Sequence, residues 1–236
     1  MQLDKYSRIF IHYYSQQAPI LLVDFIRKNK DLKVIADLGC GDGSILYSLA
    51  KNKILDNFDK IYAVDLSRER IRRVKLINNK INAFIADVCN LSQISDSEID
   101  IIISNQVIEH VSNEDEMIKE MKRILNKDGF VYLSTVFKKW YGWYFYKNRF
   151  NKWTIDPTHE REYTKDEQLL DRLKKFNFEI IENRKILHWF PLTDFFLKRV
   201  GFGQDIYEKN FILNNFRKIK VPIIGYYNWE IICRKK

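Results

Sequence analysis

The chain has 236 residues, 46% of them hydrophobic, which is long enough to bury the core of an α/β domain. No charged segment followed by a long apolar run begins it, and the run APILLVDFI is short and contains Asp24, so neither export nor a membrane span is predicted. Three scattered cysteines exclude a disulfide framework or a zinc knuckle, and we expect a cytoplasmic protein.

The net charge of +9 is unevenly distributed along the chain. Residues 1–136 carry 19 Lys/Arg and 19 Asp/Glu, whereas residues 137–220 carry 18 and 11. Of the 34 aromatic residues, 20 also fall within 137–220. The chain therefore has a neutral first part and a basic, aromatic second part, which is either a solvated surface or a contact with a partner.

Predicted strands and helices alternate along the chain, as in a doubly wound parallel sheet. The predicted strands are 33–38, 60–65, 82–86, 99–104, 130–135, 178–187 and 226–233. The predicted helices are about 16–30, 67–79, 113–125 and 164–176, the last three beginning at Ser67, Asn113 and Thr164. LNKDGF is predicted to form a turn before the fifth strand. We expect one domain over 1–236, with insertions at about 137–163 and 189–222.

A glycine-rich turn follows the first strand. Gly39, Gly41 and Gly43 form G-x-G-x-G before a segment with helical spacing. Strand, glycine turn and helix start together predict a nucleotide site, because glycine lets a ligand approach the backbone closely. A dinucleotide site has G-x-G-x-x-G, so NAD is the weaker interpretation. Asp65 lies 22 residues after Gly43, where a carboxylate can accept hydrogen bonds from both ribose hydroxyls.

Five segments in order, VIADLGCGDGS, AVDLS, FIADVCNL, DIIISNQVIEHV and LNKDGFVYLST, resemble the motifs of the class I S-adenosylmethionine-dependent methyltransferases. The resemblance covers about 33–136 well and is to the small-molecule branch that includes the ubiquinone-biosynthesis O-methyltransferases. It implies a Rossmann-like, three-layer α/β/α fold. Its sheet would have seven strands, mostly parallel, with the last strand antiparallel.

The resemblance also implies that S-adenosylmethionine is the cofactor and assigns residues to it. Asp37 and the turn from Gly39 through Cys40 and Gly41 to Gly43 would hold the methionine end. The ribose and adenine residues would be Asp65, Leu66, Asp87 and Val88, with Asn105 or Gln106 beside the sulfonium. Asp37 and Asp87 could instead only cap turns.

A hydroxyl acceptor must lose its proton, and the candidate catalytic residues are His110, His159 and Glu109. His12 and His188 are interpreted as structural. Some relatives use E-x-x-E-H as a divalent-metal site, but here Gln106 replaces the first carboxylate, and we expect no required metal.

The leading functional hypothesis is a small-molecule O-methyltransferase with an apolar or anionic acceptor, in contact with a membrane surface through its aromatic and basic part. The amphipathic residues around Phe195, Phe196 and Lys198 favour that contact, and exposed aromatics are compatible with a homodimer. One alternative is an RNA or protein methyltransferase, although no appended RNA-binding module is visible and nucleic acid is not expected as a partner. The other is a cofactor-binding scaffold without turnover.

Overall fold

The computed structural model describes residues 17–190, 193, 210–216 and 219–236, and these describe the fold below. His12 and the amphipathic residues Phe195, Phe196 and Lys198 lie outside them.

Seven strands form one sheet, and two short strands form a separate hairpin. The sheet strands are β1 (Val34–Leu38), β2 (Lys60–Asp65), β3 (Ile81–Ile85), β4 (Ile99–Asn105), β5 (Leu125–Lys138), β8 (Phe178–Phe190) and β9 (Val221–Lys235). The hairpin strands are β6 (Tyr146–Lys147) and β7 (Trp153–Thr154). The sheet order is β3-β2-β1-β4-β5-β9-β8, and β9 runs antiparallel to both its neighbours. The predicted sheet of seven strands with the last one antiparallel is confirmed.

The helices are α1 (Ile20–Lys28), α2 (Ser44–Lys51), α3 (Arg68–Val74), α4 (Glu114–Ile124), α5 (Glu167–Lys175) and α6 (Phe211–Phe216). Successive strand residues contribute to opposite faces of the sheet: Ile35 packs in one apolar cluster with residues of α1–α3, and Ala36 in another with residues of α4 and α5. The predicted three-layer arrangement is therefore confirmed, and in such open sheets ligands bind at the carboxyl ends of the parallel strands.

Two predicted helix boundaries are wrong, although Ser67 and Asn113 do cap α3 and α4 with their side chains. The helix predicted to reach residue 79 ends at Val74, and residues after it form turns. The helix predicted to open at Thr164 begins at Glu167, because the Gln168 side chain accepts the backbone N–H groups of Thr164 and Lys165 and holds them in a separate turn.

Two further expectations concern strand pairing. LNKDGF does not separate β5 from α4 as a turn; it begins β5 as a bulge, since Ile99 pairs with Leu125 and Ile101 with Phe130. The strand predicted at 226–233, the last and antiparallel one, is β9, which lies between β5 and β8, so β8 forms the edge.

The first insertion exposes many of its aromatic side chains. Trp140 is 91% exposed, and large fractions of Tyr141, Trp143, Phe145, Phe150 and Trp153 are also accessible. Among the described residues, no helix combines the length and the apolar character that crossing a bilayer requires.

Candidate active site

The glycine turn lies at the carboxyl end of β1 and is attached to the neighbouring strand. The backbone N–H groups of Gly39 and Cys40 donate to the carbonyl of Val64, at 2.8 and 2.9 Å. A Cβ on Gly39 would lie 2.5 Å from Val107, whereas a Cβ on Gly41 would meet no atom within 4 Å. The backbone at Gly41 therefore faces open space, which is the geometry that a ligand approaching the turn requires.

Asp65 joins this turn to the start of α3. Its carboxylate accepts the N–H of Gly41 at 3.0 Å and the N–H of Ser67 at 2.8 Å, and Arg70 lies 3.5 Å away. The residue is only 6% exposed. Each carboxylate oxygen can accept a second hydrogen bond, so Asp65 can fix the turn and still accept ribose hydroxyls.

Asp37 is a buried carboxylate at the end of β1. Burial, reinforced by the charge of Asp65, raises its pKa from 3.8 to about 7. Within the described parts of the chain, no donor is hydrogen-bonded to its side chain. A buried carboxylate without a donor is costly unless a cation neutralises it, and the ammonium of an amino acid moiety is such a cation. The adjacent Cys40 is buried and its pKa is raised by burial and by these carboxylates, so its thiol stays neutral.

The predicted adenine residues emerge after β2 and β3, which are adjacent strands. Leu66 is 58% exposed and Val88 is 7% exposed. Asp87 is exposed, and one of its carboxylate oxygens accepts the N–H of Cys89 at 2.9 Å, so it does cap a turn. Its second oxygen can accept the amino group of an adenine, and the cap does not exclude that role.

The two amides after β4 point to different neighbours. Asn105 accepts a hydrogen bond from Ser134 at 2.6 Å. Gln106 has a positive φ of 57° and donates its side-chain amide to Asn228 of β9 at 2.8 Å. The Gln106 side chain is thus directed across β5, on the opposite side from β1 and the glycine turn.

The three candidate catalytic residues converge. One ligand atom of each of Glu109, His110 and His159 lies within 4.8 Å of the others. The rings of His110 and His159 meet edge to face, with centroids 4.7 Å apart. Because Val107 packs over Gly39, the loop that carries this cluster is in contact with the glycine turn. The structure therefore brings the loop with the predicted catalytic residues Glu109 and His110 next to the glycine turn predicted for the cofactor.

Two neighbouring residues, Glu160 and Arg161, hold the loop in place, and sequence reasoning singled out neither of them. The backbone N–H of Glu160 donates to the carbonyl of Glu109 at 2.8 Å. The guanidinium of Arg161 donates to the carbonyls of Ile108, Val111 and Ser112, at 3.0, 2.6 and 3.1 Å. The only sequence signal was the density of charges in HEREYT, which does not reveal backbone partners far away in the chain.

The environments of the cluster shift its pKa values in opposite directions. Burial raises the pKa of Glu109 to about 7, against the opposing charge of His159. Desolvation and the neighbouring His159 lower the pKa of His110, although one side of its ring reaches solvent. Burial also acts to lower the pKa of His159, but a hydrogen bond to Glu162 and the charges of Glu109 and Asp156 outweigh it and raise that pKa. Such opposed shifts are typical of acid–base sites.

The cluster also has the donor set of a divalent-metal site. One oxygen of Glu109 accepts Thr135 at 2.9 Å, and its other oxygen is buried without a hydrogen-bond partner in the described residues. Nδ1 of His110 lies 3.1 Å from the Thr158 hydroxyl, and Nδ1 of His159 lies 3.2 Å from Glu162. Each of the three residues thus keeps one atom that could bind a metal ion. Two histidines with one carboxylate form a ligand set that suits zinc-like cations. The expectation against a metal considered the segment from Gln106 to His110, with one carboxylate and one histidine, and not the approach of His159.

The comparisons with known proteins agree with this geometry. A family model described as "Methyltransferase domain" matches residues 10–183. The ubiquinone biosynthesis O-methyltransferase of Pelagibacter ubique is 26% identical over 190 residues, 75% of each chain. That of Glaesserella parasuis is 28% identical over 194 residues, 77% of this chain and 73% of the relative. A solved S-adenosylmethionine-dependent methyltransferase from Methanosarcina mazei superposes with a TM-score of 0.62 at 17% identity, covering 93% of this chain and 99% of that one.

The chain belongs to the family of methyltransferase domains. It is an enzyme of the S-adenosylmethionine-dependent class, and S-adenosylmethionine is its cofactor.

Proposed function

We propose that this enzyme transfers a methyl group to a hydroxyl oxygen of a small, largely apolar acceptor. The observation that carries the proposal is the convergence of Glu109, His110 and His159 beside the glycine turn. Oxygen acceptors need a group that removes a proton, and the lowered pKa of His110 keeps its ring neutral and able to accept one. The ubiquinone O-methyltransferases among the relatives support the same type of acceptor atom.

The cofactor-side residues would each hold one part of S-adenosylmethionine. Asp37 would pair with the ammonium of the methionine moiety, and Asp65 would accept the ribose hydroxyls. Leu66 and Val88 would contact the adenine faces, with Asp87 at its amino group. These contacts would position the cofactor beside the loop of residues 107–110, and orientation is the main requirement for transfer from an activated sulfonium.

In the transfer step, the acceptor O–H loses its proton to a ring nitrogen of His110. S-adenosylmethionine, held by Asp37, Asp65 and Asp87, would supply the methyl group: the C–O bond would form as the carbon–sulfur bond breaks, and its electron pair would leave on sulfur. S-adenosylhomocysteine and the methyl ether are the products. The nearby His159, with its raised pKa, favours the negative charge that develops on the oxygen.

An apolar acceptor is supported by a cavity of about 490 Å³ at the base of the first insertion. It is lined by Tyr141, Trp143, Tyr144, Phe145, Phe190, Val221, Pro222, Ile223 and Ile224. The Tyr144 ring contacts Tyr226, a buried residue on β9 whose hydroxyl lies toward Glu162. The cavity is thereby linked to the neighbourhood of His159. Exposed Trp140 and the lysines around it support acceptor capture at a membrane surface, in a cytoplasmic, single-domain enzyme.

A divalent cation on Glu109, His110 and His159 is a second role for the same cluster, favoured by the unpartnered oxygen of Glu109. When bound, such a cation would lower the pKa of an acceptor hydroxyl. Calorimetry of chelator-treated protein with Zn²⁺, Mn²⁺ and Mg²⁺ tests it directly. Metal binding that is lost in Glu109→Gln and kept in His188→Gln would establish the site. If none of the three ions gave a heat of binding, only the role of the cluster in removing a proton would remain.

The first test of the function is calorimetry with S-adenosylmethionine and S-adenosylhomocysteine, for wild type and Asp65→Ala. We expect micromolar binding that the variant loses, because both ribose contacts and the anchor of Gly41 disappear. Labelled S-adenosylmethionine would then be offered to alkylphenols, alkylcatechols, RNA and acidic peptides. Label recovered in a methyl ether supports the proposal, and label recovered in RNA or peptide supports the alternative methyltransferases. Cofactor binding without transfer of label to these acceptors or to any cell extract supports a scaffold.

A further inference from the structure

We infer that Glu162 is a positioning residue that fixes the ring of His159, so that Nδ1 carries a proton and Nε2 is the nitrogen left for the reaction. The inference rests on the proposed function only in giving His159 a role. The orientation itself follows from the contacts of Glu162.

Glu162 is a nearly buried carboxylate surrounded by donors, with its side chain 6% exposed. One oxygen accepts the N–H of Ile155 at 2.7 Å and the hydroxyl of Thr154 at 2.5 Å, and lies 3.2 Å from Nδ1 of His159. Its other oxygen is 3.7 Å from the ammonium of Lys138. A carboxylate in such surroundings stays ionised, and an ionised carboxylate can only accept hydrogen bonds.

The proton between the two residues must therefore be on Nδ1 of His159. In the protonated ring, Nε2–H is then the donor that Glu162 does not engage, and in the neutral ring the lone pair lies on Nε2. The Thr154 hydroxyl, 3.5 Å from the same nitrogen, is too distant for a good hydrogen bond and already donates to Glu162. Glu162 is the one close partner of that nitrogen in the described residues.

The backbone around His159 is held independently of Glu162. Glu160 and Arg161 donate their backbone N–H groups to the carbonyl of Glu109, and the Arg161 side chain holds the carbonyls that follow. The location of His159 relative to Glu109 is thus set by the main chain. What Glu162 decides is the rotation and the protonated nitrogen of the ring, which no backbone contact controls.

Two substitutions separate positioning from packing. Glu162→Gln keeps an oxygen where Ile155, Thr154 and His159 all donate, so it should preserve the proton on Nδ1. Glu162→Leu keeps similar volume and removes the acceptor, so the ring should lose its single tautomer. Glu160→Leu is the matched control, since the Glu160 side chain pairs with Arg149 at the surface and does not contact His159.

The experiment is ¹⁵N NMR of histidine-labelled, metal-free protein, at a pH above the raised pKa of His159 so that its ring is neutral. Four histidines give few signals, and His159→Gln assigns the one of interest. We expect a protonated Nδ1 in wild type, Glu162→Gln and Glu160→Leu, and a mixture of tautomers in Glu162→Leu. An unprotonated Nδ1 in wild type would overturn the inference, even if the leucine variant failed to fold. Unchanged tautomers in a folded Glu162→Leu would do the same.

The NMR result does not depend on the proposed function. S-adenosylmethionine affinity, measured on the same samples, should be unchanged in all three Glu160 and Glu162 variants because their side chains contact neither the glycine turn nor Asp65. If the wild-type protein did not bind S-adenosylmethionine, the proposed function would be contradicted, but the tautomer result would still stand.

Discussion

His110 and His159, which belong to different segments of the chain, meet with their ring centroids 4.7 Å apart and their planes at 71°. Each ring has a different partner at Nδ1, Thr158 for His110 and Glu162 for His159. The pair therefore combines a histidine whose pKa is lowered with one whose pKa is raised, directly beside the buried carboxylate of Glu109. At a pH between the two pKa values, one ring of the pair can therefore accept a proton while the other is protonated.

Alanine substitutions at two glycines should have different consequences. Gly41→Ala places a methyl group in open space, so we expect only the strain of the left-handed backbone, about 1–2 kcal/mol, but a roughly tenfold or greater loss of cofactor affinity. Gly43→Ala drives the methyl group to 2.5 Å from Ile77 and should cost about 1–3 kcal/mol more in the free energy of unfolding. Urea unfolding and calorimetry measure both effects; equal affinities in wild type and a folded Gly41→Ala would refute a ligand at this turn.

Asp37→Asn should stabilise the protein at alkaline pH and weaken cofactor binding. The folded-state pKa of Asp37 is about 7 against 3.8 when unfolded, so between these values the folded chain holds a proton that the unfolded chain has released. Stability contributed by this group therefore falls as pH rises from about 4 to about 7. The total is on the order of 4 kcal/mol, which the asparagine variant should regain at pH 8 but not at pH 4.

Urea unfolding of wild type and Asp37→Asn at these two pH values tests that prediction. A stability difference between the two proteins that is the same at both pH values would show that the carboxylate is not desolvated in the folded state. Calorimetry in buffers of different ionisation enthalpy adds a second reading. If the ammonium of S-adenosylmethionine pairs with Asp37, binding near pH 7 releases a proton to the buffer.

Arg161→Met should loosen the loop that carries Glu109 and His110. The substitution leaves the carbonyls of Ile108, Val111 and Ser112 without their common donor, and hydrogen bonds from a charged donor contribute about 1.5–3 kcal/mol each. We expect a stability loss of roughly 3 kcal/mol and faster amide hydrogen exchange across residues 107–112. The stability of Arg161→Lys should lie between those of wild type and Arg161→Met. Amide exchange at the wild-type rate in Arg161→Met would contradict a role of Arg161 in holding this loop.

The exposed aromatic residues of the first insertion should bind anionic vesicles. Trp140 and Trp143 are 91% and 59% exposed, and Lys139 and Lys147 flank them in the chain. We expect co-sedimentation with phosphatidylserine-containing vesicles that weakens with salt, and a partition coefficient about tenfold lower in Trp140→Ser/Trp143→Ser. Neutral vesicles and the Phe211→Ser variant are the controls, and the absence of binding to anionic vesicles would remove the membrane surface from the proposed function.

The sequence by itself determined the class of fold and predicted the residues that we assign to the cofactor. Strand periodicity, the glycine turn and Asp65 are local features, because a parallel strand followed by a turn and a helix places its ligand-binding residues within a few positions of one another. Seven strands were predicted close to their observed positions, with the errors at helix ends and at the bulge that opens β5.

Only the tertiary structure decided how the proposed acceptor residues come together. His159 approaches Glu109 because Glu160 and Arg161 bond to carbonyls about fifty residues earlier, and Gln106 turns away because Asn228 of β9 lies across β5. The raised pKa values of Asp37 and Glu109 arise from burial by distant segments. Contacts between residues far apart in the chain leave no periodic trace in the sequence, and so the partners of these side chains became visible only in the folded protein.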